Sequence, residues 1–342
     1  MTRTPSDRPA RRRREPSLSI RDVAAAAGVS YQTVSRVLNE SPSVSPATRR
    51  AVLEVIGRLG YRPNRAARAL GAGRAGAVTV VTTNTTLYGY AATLQGIEEA
   101  ARLAGLAVGV RVVESGRAAD VRHAVEYVSD PSAGRVIVVA FDDAGAKVLR
   151  ALPAEVPALA VTEAGGVTGS TRPMIYLDER PAAGAATEHL LGLGHRTVQH
   201  VSIPSETGTG ARQTGWRDAL VAAGAPVPEV VAGGWDPRSA YLAGRRLAAD
   251  PQVTAILCGN DDTALAVRRA LHEAGRDVPG DVSIVGFDDV PGAAYWTPAL
   301  TTVRMDFVAL GQACLATPAG SHPELPAPHL VVRESTAAPR RR

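Results

Sequence analysis

Little in this chain of 342 residues supports a staple, a membrane span or an aromatic core. It has two cysteines, Cys258 and Cys314, too few for a disulfide framework or a four-ligand zinc site. Aromatic residues make up 4% of the chain, so aliphatic packing must carry the core. No apolar run reaches the roughly 18 residues that a membrane helix needs. Arg11 to Arg14 are not followed by an apolar stretch, which argues against a secretory leader and makes a cytoplasmic protein the expectation. Lysine is almost missing: Lys147 stands alone, and arginine supplies the remaining positive charge.

What is present is unevenly spread. Residues 1–74 hold fifteen arginines against five acids, a net of +10, inside a chain whose total is +5. The remaining residues therefore carry 23 basic and 28 acidic groups, a net of −5. The basic end calls for an anionic partner and the acidic body does not. A solubilising tail accounts for residues 1–16, rich in Arg and Pro, but not for residues 17–70, which show helical order.

Ser19 with Asp22 makes a capping-box pair, and Ile20, Val23, Ala24 and Ala27 share one helical face before Gly28. Ser30 caps a second helix in which Val34, Val37 and Leu38 point inward. Ser45-Pro46 opens a third, with Val52, Val55, Ile56 and Leu59 as its stripe and Gly60 as its stop. Three such helices bury one small core and leave the second free to enter a DNA major groove. Tyr31, Gln32 and Arg36 are then its base-reading candidates, since Gln pairs with adenine and Arg with guanine. Ser30, Thr33, Ser35, Asn39 and Thr48 are short polar groups suited to phosphates. A generic helical bundle is the alternative, and the charge and turn chemistry together argue against it.

The segments Ser19–Ala24, Gly28–Asn39, Val44–Arg49 and Leu59–Asn64 resemble the DNA-binding domain of the LacI/GalR repressor family. The resemblance implies that Tyr31, Gln32 and Arg36 read bases. It also bears on residues 63–75, where Asn64, Arg65, Ala67 and Leu70 lie in a stretch too short to be a stable helix alone. Locally this fits a plain Ala/Arg linker as well as anything else. The family implies a hinge helix that folds in the minor groove, with Leu70 wedged into a base step.

Beyond residue 76, β-branched runs at 77–82, 135–140, 157–161, 174–177, 197–203, 254–258 and 282–287 alternate with amphipathic stretches. Those stretches lie near 91–104, 118–129, 181–193, 210–223, 237–249 and 262–274, a pattern of parallel sheets covered by helices. Ligands of such sheets bind beyond the strand carboxyl ends. Asn84, Arg212, Trp235, Asn260 and Asp288 stand near such places, and amides, carboxylates, a guanidinium and an indole face suit a sugar. Asp261 and Asp289 read more simply as cap or turn residues.

Residues 211–216, 259–261, 281–289 and 300–307 are similar to the family's effector-binding core. The similarity spans about residues 18–336 and implies a two-lobed domain like that of periplasmic sugar-binding proteins. In it Arg212, Asn260 and Asp288 would bind sugar hydroxyls, with Trp235 and Phe307 as walls. The chain departs from the pattern at Thr162, where an aspartate contacts the sugar, at Met305, where glutamine is usual, and at Tyr90, where a small residue is expected.

The expected architecture is an all-α helix-turn-helix domain (17–62), a hinge (63–75) and a two-lobed α/β effector domain with parallel sheets (76–336). Its first lobe takes in about 76–173 and 305–320, and its second about 174–304 and 321–336; residues 337–342 form a tail. After Phe307 the helix should be shorter than the family's, and no leucine heptad follows, so a homodimer rather than a tetramer is expected. The expected function is a transcription regulator, a repressor by preference, on a palindromic double-stranded operator. A small carbohydrate is its effector, and no cofactor or metal is called for. A transport-type sugar-binding protein and a glycosidase using Asp288 are the competing readings.

Overall fold

Local capping signals set the three helices at the start of the chain. The computed structural model describes residues 18–38, 41–61, 76–205, 209–316 and 323–340. Helix α1 (Ile20–Ala27) begins with a reciprocal box: the Asp22 carboxylate accepts from the Ser19 amide at 2.7 Å, and Ser19 Oγ accepts from the Asp22 amide. Gly28 ends it at φ 64°, a left-handed conformation open to glycine. In α2 (Tyr31–Leu38) Ser30 Oγ accepts from the Thr33 amide at 3.1 Å, and in α3 (Pro46–Leu59) Ser45 Oγ accepts from the Thr48 amide at 3.2 Å. Val23, Ala24, Val34, Val37, Val52 and Val55 are the buried core of this unit, with Ile56, Leu59 and Tyr61 around them.

A separate unit begins after residue 73. Its elements run β1 (Ala77–Thr82), α4 (Tyr88–Leu103), β2 (Ala107–Val112), α5 (Ala118–Ser129), β3 (Arg135–Ala140), α6 (Asp143–Ala151), β4 (Ala158–Thr162) and β5 (Met174–Ile175). Then come α7 (Arg180–Gly192), β6 (Gln199–Ser202), α8 (Ala211–Ala222), β7 (Val231–Ala232), α9 (Pro237–Ala248), β8 (Ala255–Cys258) and α10 (Asp261–Glu273). Strands β9 (Ser283–Asp288) and β10 (Thr301–Arg304), helix α11 (Phe307–Ala316) and strand β11 (His329–Val331) complete it.

The strands form two sheets. The first has order β2-β1-β3-β4-β5 and is parallel throughout. The second has order β11-β10-β9-β8-β6-β7 and is parallel except for β11. Central strands β1, β3, β8 and β9 are nearly continuous apolar runs because both faces are covered. The chain passes between the lobes three times: after β5, after β10 and after α11. Helix α11 returns to pack on α4 so closely that a Cβ at Gly96 would lie 2.1 Å from Val308 O, and one at Gly311 2.1 Å from Thr93 O. That crossing fixes Phe307, at the start of α11, against the first lobe.

Several expectations shift. Strand β5 pairs with β4 through Ala160↔Met174 and Val161↔Ile175, so the division expected at 173/174 falls inside the first sheet. Residues 337–340 are not a loose tail: the Ala337 amide donates to Ser283 Oγ, Ala337 O accepts from Ser283 Oγ, and Arg340 pairs with Asp281 at 3.1 Å. Strands β2, β7, β10 and β11 and helix α6 escaped the pattern. Strand β2 is a half-exposed edge whose valines alternate with Gly109 and Arg111, which hides its strand character. The hinge expected over residues 63–75 lies outside the described residues.

Candidate functional site

On the helical unit, burial of Val34 and Val37 turns the opposite face of α2 outward. Tyr31 is 54% exposed, Gln32 and Arg36 are exposed, and Ser35 is half-buried beside them. Ser30 and Thr33 share a hydroxyl hydrogen bond of 2.9 Å at the start of α2, and Ser45 and Thr48 make the same contact at the start of α3. Ser30, Thr33 and Thr48 therefore serve the helix starts, leaving Tyr31, Gln32 and Arg36 as the projecting groups. The candidates Asn39, Asn64, Arg65, Ala67 and Leu70 lie outside the described residues.

The α/β unit holds a cleft of about 420 Å³ between its lobes, partly open to solvent. From the first lobe come Tyr88 and Tyr90 on α4, Phe141 after β3, Glu163 after β4 and Phe307 on α11. From the second come Glu179, Ile203, Arg212, Trp235, Asn260 and Asp288. The aromatic rings meet edge to face: Tyr90 with Phe141 at 5.1 Å and with Trp235 at 6.3 Å, Phe307 with Phe141 at 6.1 Å and with Tyr88 at 6.0 Å. Such rings offer C–H-accepting faces to the cleft.

Arg212 organises the polar wall. Its guanidinium forks onto Glu179, Nε to Oε2 at 3.0 Å and Nη2 to Oε1 at 3.1 Å, and Nη1 donates to Gly259 O. The Phe287 ring lies 4.4 Å below it. Burial works against its charge, but Glu179 and Asp288 outweigh that and tighten its hold on the proton. Asp288 Oδ1 is 3.5 Å from Nη2 and accepts no hydrogen bond. Burial raises the Asp288 carboxyl well above the usual carboxylate range; Arg212 draws it down, and Asp261 and Glu179 push it further up. Its backbone has φ 108° and that of Asp289 φ 54°, two strained non-glycine positions in succession. Arg304 and Arg333 hold the Asp289 carboxylate at 2.6 and 2.7 Å and so pin this turn.

Among the described residues, buried side-chain polar atoms without a hydrogen-bond partner are few: Asp288 Oδ1, Trp235 Nε1, Thr162 Oγ1 and Arg111 Nε. Two of them, an acceptor and an indole donor, belong to residues lining this cleft. Orphaned buried polar groups carry a desolvation cost that a ligand hydroxyl would relieve.

Six sequence candidates meet at the cleft: Tyr90, Arg212, Trp235, Asn260, Asp288 and Phe307. Asn84 does not. Its Oδ1 accepts from the Thr86 and Leu87 amides at 2.7 and 2.8 Å, a turn that leads into α4. Thr162 is buried behind the wall, and its neighbour Glu163 lines the cleft instead. Asn260, rather than Asp261, caps α10 by accepting from the Thr263 amide at 2.8 Å. Asp261 is fully buried and accepts from Thr302 Oγ1 at 2.6 Å and from the Val290 amide at 2.8 Å. Sequence reasoning missed Glu179, Tyr88, Phe141 and Ile203; the strand-end rule reaches Phe141, directly after β3, and Ile203, directly after β6.

Residues 19–64 match the family model described as bacterial regulatory proteins, lacI family, and residues 187–336 match the periplasmic binding protein-like domain. The chain is similar to the lactose operon repressor of Escherichia coli (strain K12), 31% identical over 298 residues that span 86% of this chain and 82% of that protein. It is similar to the HTH-type transcriptional regulator CelR of Thermobifida fusca, 34% identical over 318 residues, 88% of this chain and 90% of that one. Among solved structures, the lac repressor dimer bound to operator and the anti-inducer ONPF superposes with a TM-score of 0.83 at 29% identity, covering 94% of this chain and 100% of that chain. The CelR–cellobiose complex gives 0.68 at 30% identity, covering 93% and 99%.

Proposed function

The chain belongs to the lacI family of bacterial regulatory proteins, and from that premise we propose a repressor that binds a palindromic operator as a homodimer and answers to a small carbohydrate. As a member of the family it is a DNA-binding transcription regulator. Tyr31, Gln32 and Arg36 read bases from the exposed face of α2, with Ser35, Asn39 and the helix starts at Ser30, Thr33 and Thr48 on the phosphates. Asn64, Arg65, Ala67 and Leu70 form the hinge segment in the minor groove, Leu70 as the wedge. It acts in the cytoplasm, at the nucleoid, and leaves its ligand chemically unchanged.

The observation that carries the effector reading is the aromatic-walled cleft in which Asp288 Oδ1 and Trp235 Nε1 are buried without hydrogen-bond partners. A polyhydroxylated ring satisfies both atoms and lies against the rings. Ligand that bridges the lobes alters their angle, and that change shifts the hinge segments between bound and released arrangements. A thermal-shift screen of mono- and disaccharides tests the ligand class, because a ligand of the native state raises its stability by mass action. No stabilisation by any sugar, or sugar turnover abolished by Asp288→Asn, overturns it. Arg36→Ala should relax base preference and cost about 1–3 kcal/mol at the operator; unchanged specific binding refutes the assignment of α2.

A further inference from the structure

Behind the cleft wall, the second lobe buries a carboxyl that does not itself line the cleft. Asp261 opens α10, yet its side chain turns inward. Its Oδ1 accepts from Thr302 Oγ1 on β10 at 2.6 Å, and its Oδ2 accepts from the Val290 amide at 2.8 Å. The sequence leaves room for it: a Cβ on Gly286 of β9 would lie 2.2 Å from Asp261 Oδ1. One oxygen is thus committed to the sheet and the other to the turn that follows β9. That turn is Asp288-Asp289-Val290, with Asp288 at φ 108° and Asp289 at φ 54°. Residues other than glycine stay in such a conformation only when their surroundings hold them there. Here the Met305 amide donates to Asp288 O at 3.4 Å, Arg304 and Arg333 clamp the Asp289 carboxylate, and Asp261 takes the Val290 amide.

We infer that Asp261 is a positioning residue for the effector: by holding the Val290 amide from inside the lobe, it keeps the turn in the conformation that directs the Asp288 carboxyl into the cleft. The effector side of this rests on the carbohydrate reading of the cleft. Asp261 touches no ligand and acts through Asp288, by geometry and also by charge. Asp262 lies exposed on the same helix. Asp288 and Asp289 lie at the facing strand end, the first beside Arg212 and the second between Arg304 and Arg333. The Cys258 thiol on β8 and the Tyr88 hydroxyl on α4 also feel the Asp261 charge. Burial raises the Asp261 carboxyl to about 7; its bonds from Thr302 and Val290 draw it down, and Asp289 and Asp262 push it up. Burial likewise lifts the Asp288 carboxyl, Arg212 opposes this, and the Asp261 charge lifts it further. An ionised carboxylate accepts from more hydroxyls than a protonated one. Affinity that depends on Asp288 is therefore present when it is ionised and lost as pH falls. Removing the Asp261 charge moves that loss to lower pH.

Two variants of the full chain separate geometry from charge. Asp261→Asn keeps an acceptor for the Val290 amide and a donor for Thr302 Oγ1 but carries no charge. Asp261→Leu has similar bulk and neither group. Amide hydrogen exchange over residues 287–292, read by mass spectrometry, should be about tenfold faster in Asp261→Leu and close to native in Asp261→Asn. Calorimetric titration with glucose, galactose, cellobiose and lactose over a pH series gives the second readout. Asp261→Leu should bind whichever of these sugars the native chain binds about tenfold more weakly. In Asp261→Asn the loss of affinity on acidification should move to lower pH, a shift that a merely structural residue would not produce and that decides the matter if Asp261→Leu does not fold. Native exchange in a folded Asp261→Leu, or a pH profile of Asp261→Asn that coincides with the native one, overturns the positioning role and leaves the carbohydrate reading intact. Binding of none of the four sugars by the native chain counts against the carbohydrate reading instead, and the exchange rates then decide whether Asp261 holds the turn.

Discussion

The helical unit and the α/β unit are stabilised at different ranges along the chain. In the first, each helix start is closed by a side chain within three residues, and six small or branched residues make the core. In the second, the groups that matter come from far apart: Arg212 reaches Glu179 across 33 positions, and Thr302 reaches Asp261 across 41. A unit built from near neighbours can read DNA with local signals alone. A unit that must sense a ligand between lobes needs distant elements in register, and its buried charges are balanced only when the whole is assembled.

The sharpest break in that contrast is Arg212→Ala. It leaves the Glu179 and Asp288 carboxyls buried without their guanidinium, and removing one partner of a buried pair costs about 3–5 kcal/mol. Chemical denaturation should show the α/β transition moving to lower denaturant while the helical transition stays; movement of both together would mean the units are energetically one.

Acid gives the next effect. Burial lowers the His200 imidazole from its usual range to about 4, the Leu257 carbonyl pulling it up and Arg212 down again. The folded state therefore takes up its proton later than the unfolded one. The stability this group contributes is present above the ordinary histidine value of about 6.5 and is lost as pH falls toward about 4, a few kcal/mol at full loss. His200→Gln should flatten the fall in melting temperature of the α/β unit over that window; a fall as steep as in the native chain removes His200 as the cause.

These two effects bear on what the sequence disclosed. Ser19, Asp22, Gly28, Ser45 and Gly60 announced the helical unit because a cap is a message between residues three or four apart. Buried strands such as Ala77–Thr82 were legible for the same reason, as short apolar runs. Arg212, Trp235, Asn260 and Asp288 were reached from their places near strand ends, and Phe307 through motif similarity. Glu179 was not, because nothing around it marks a site: it follows a two-residue strand and its partner lies in another helix. Asn84 was misread because an amide after a strand serves a turn as readily as a ligand, and here it serves the turn.

Smaller changes sharpen the comparison from the helical side. Val34→Ala removes two methyl groups from a fully buried position in a core of six residues, at a cost of about 2 kcal/mol. Against the marginal stability of so small a unit this should abolish operator binding near the growth temperature, read by mobility shift, while the α/β transition is unchanged. Ser19→Ala loses the box with Asp22 and should cost about 1 kcal/mol, seen as a slight lowering of the first transition. If Ser19→Ala proves as harmful as Val34→Ala, capping rather than the core governs the unit.

The three passages of the chain between the lobes set an order of assembly during synthesis. The first lobe lacks α11 until residue 316 is made, and the second lacks β11 and the segment whose Ser335 hydroxyl donates to Ile284 O until residues 329–337 emerge. Among the described residues, those at 18–61 contain every element of the helical unit from the outset. A growing polypeptide on the ribosome thus owns a foldable reader long before it owns a closed sensor, and the capacity to be switched is the last property the newborn protein acquires.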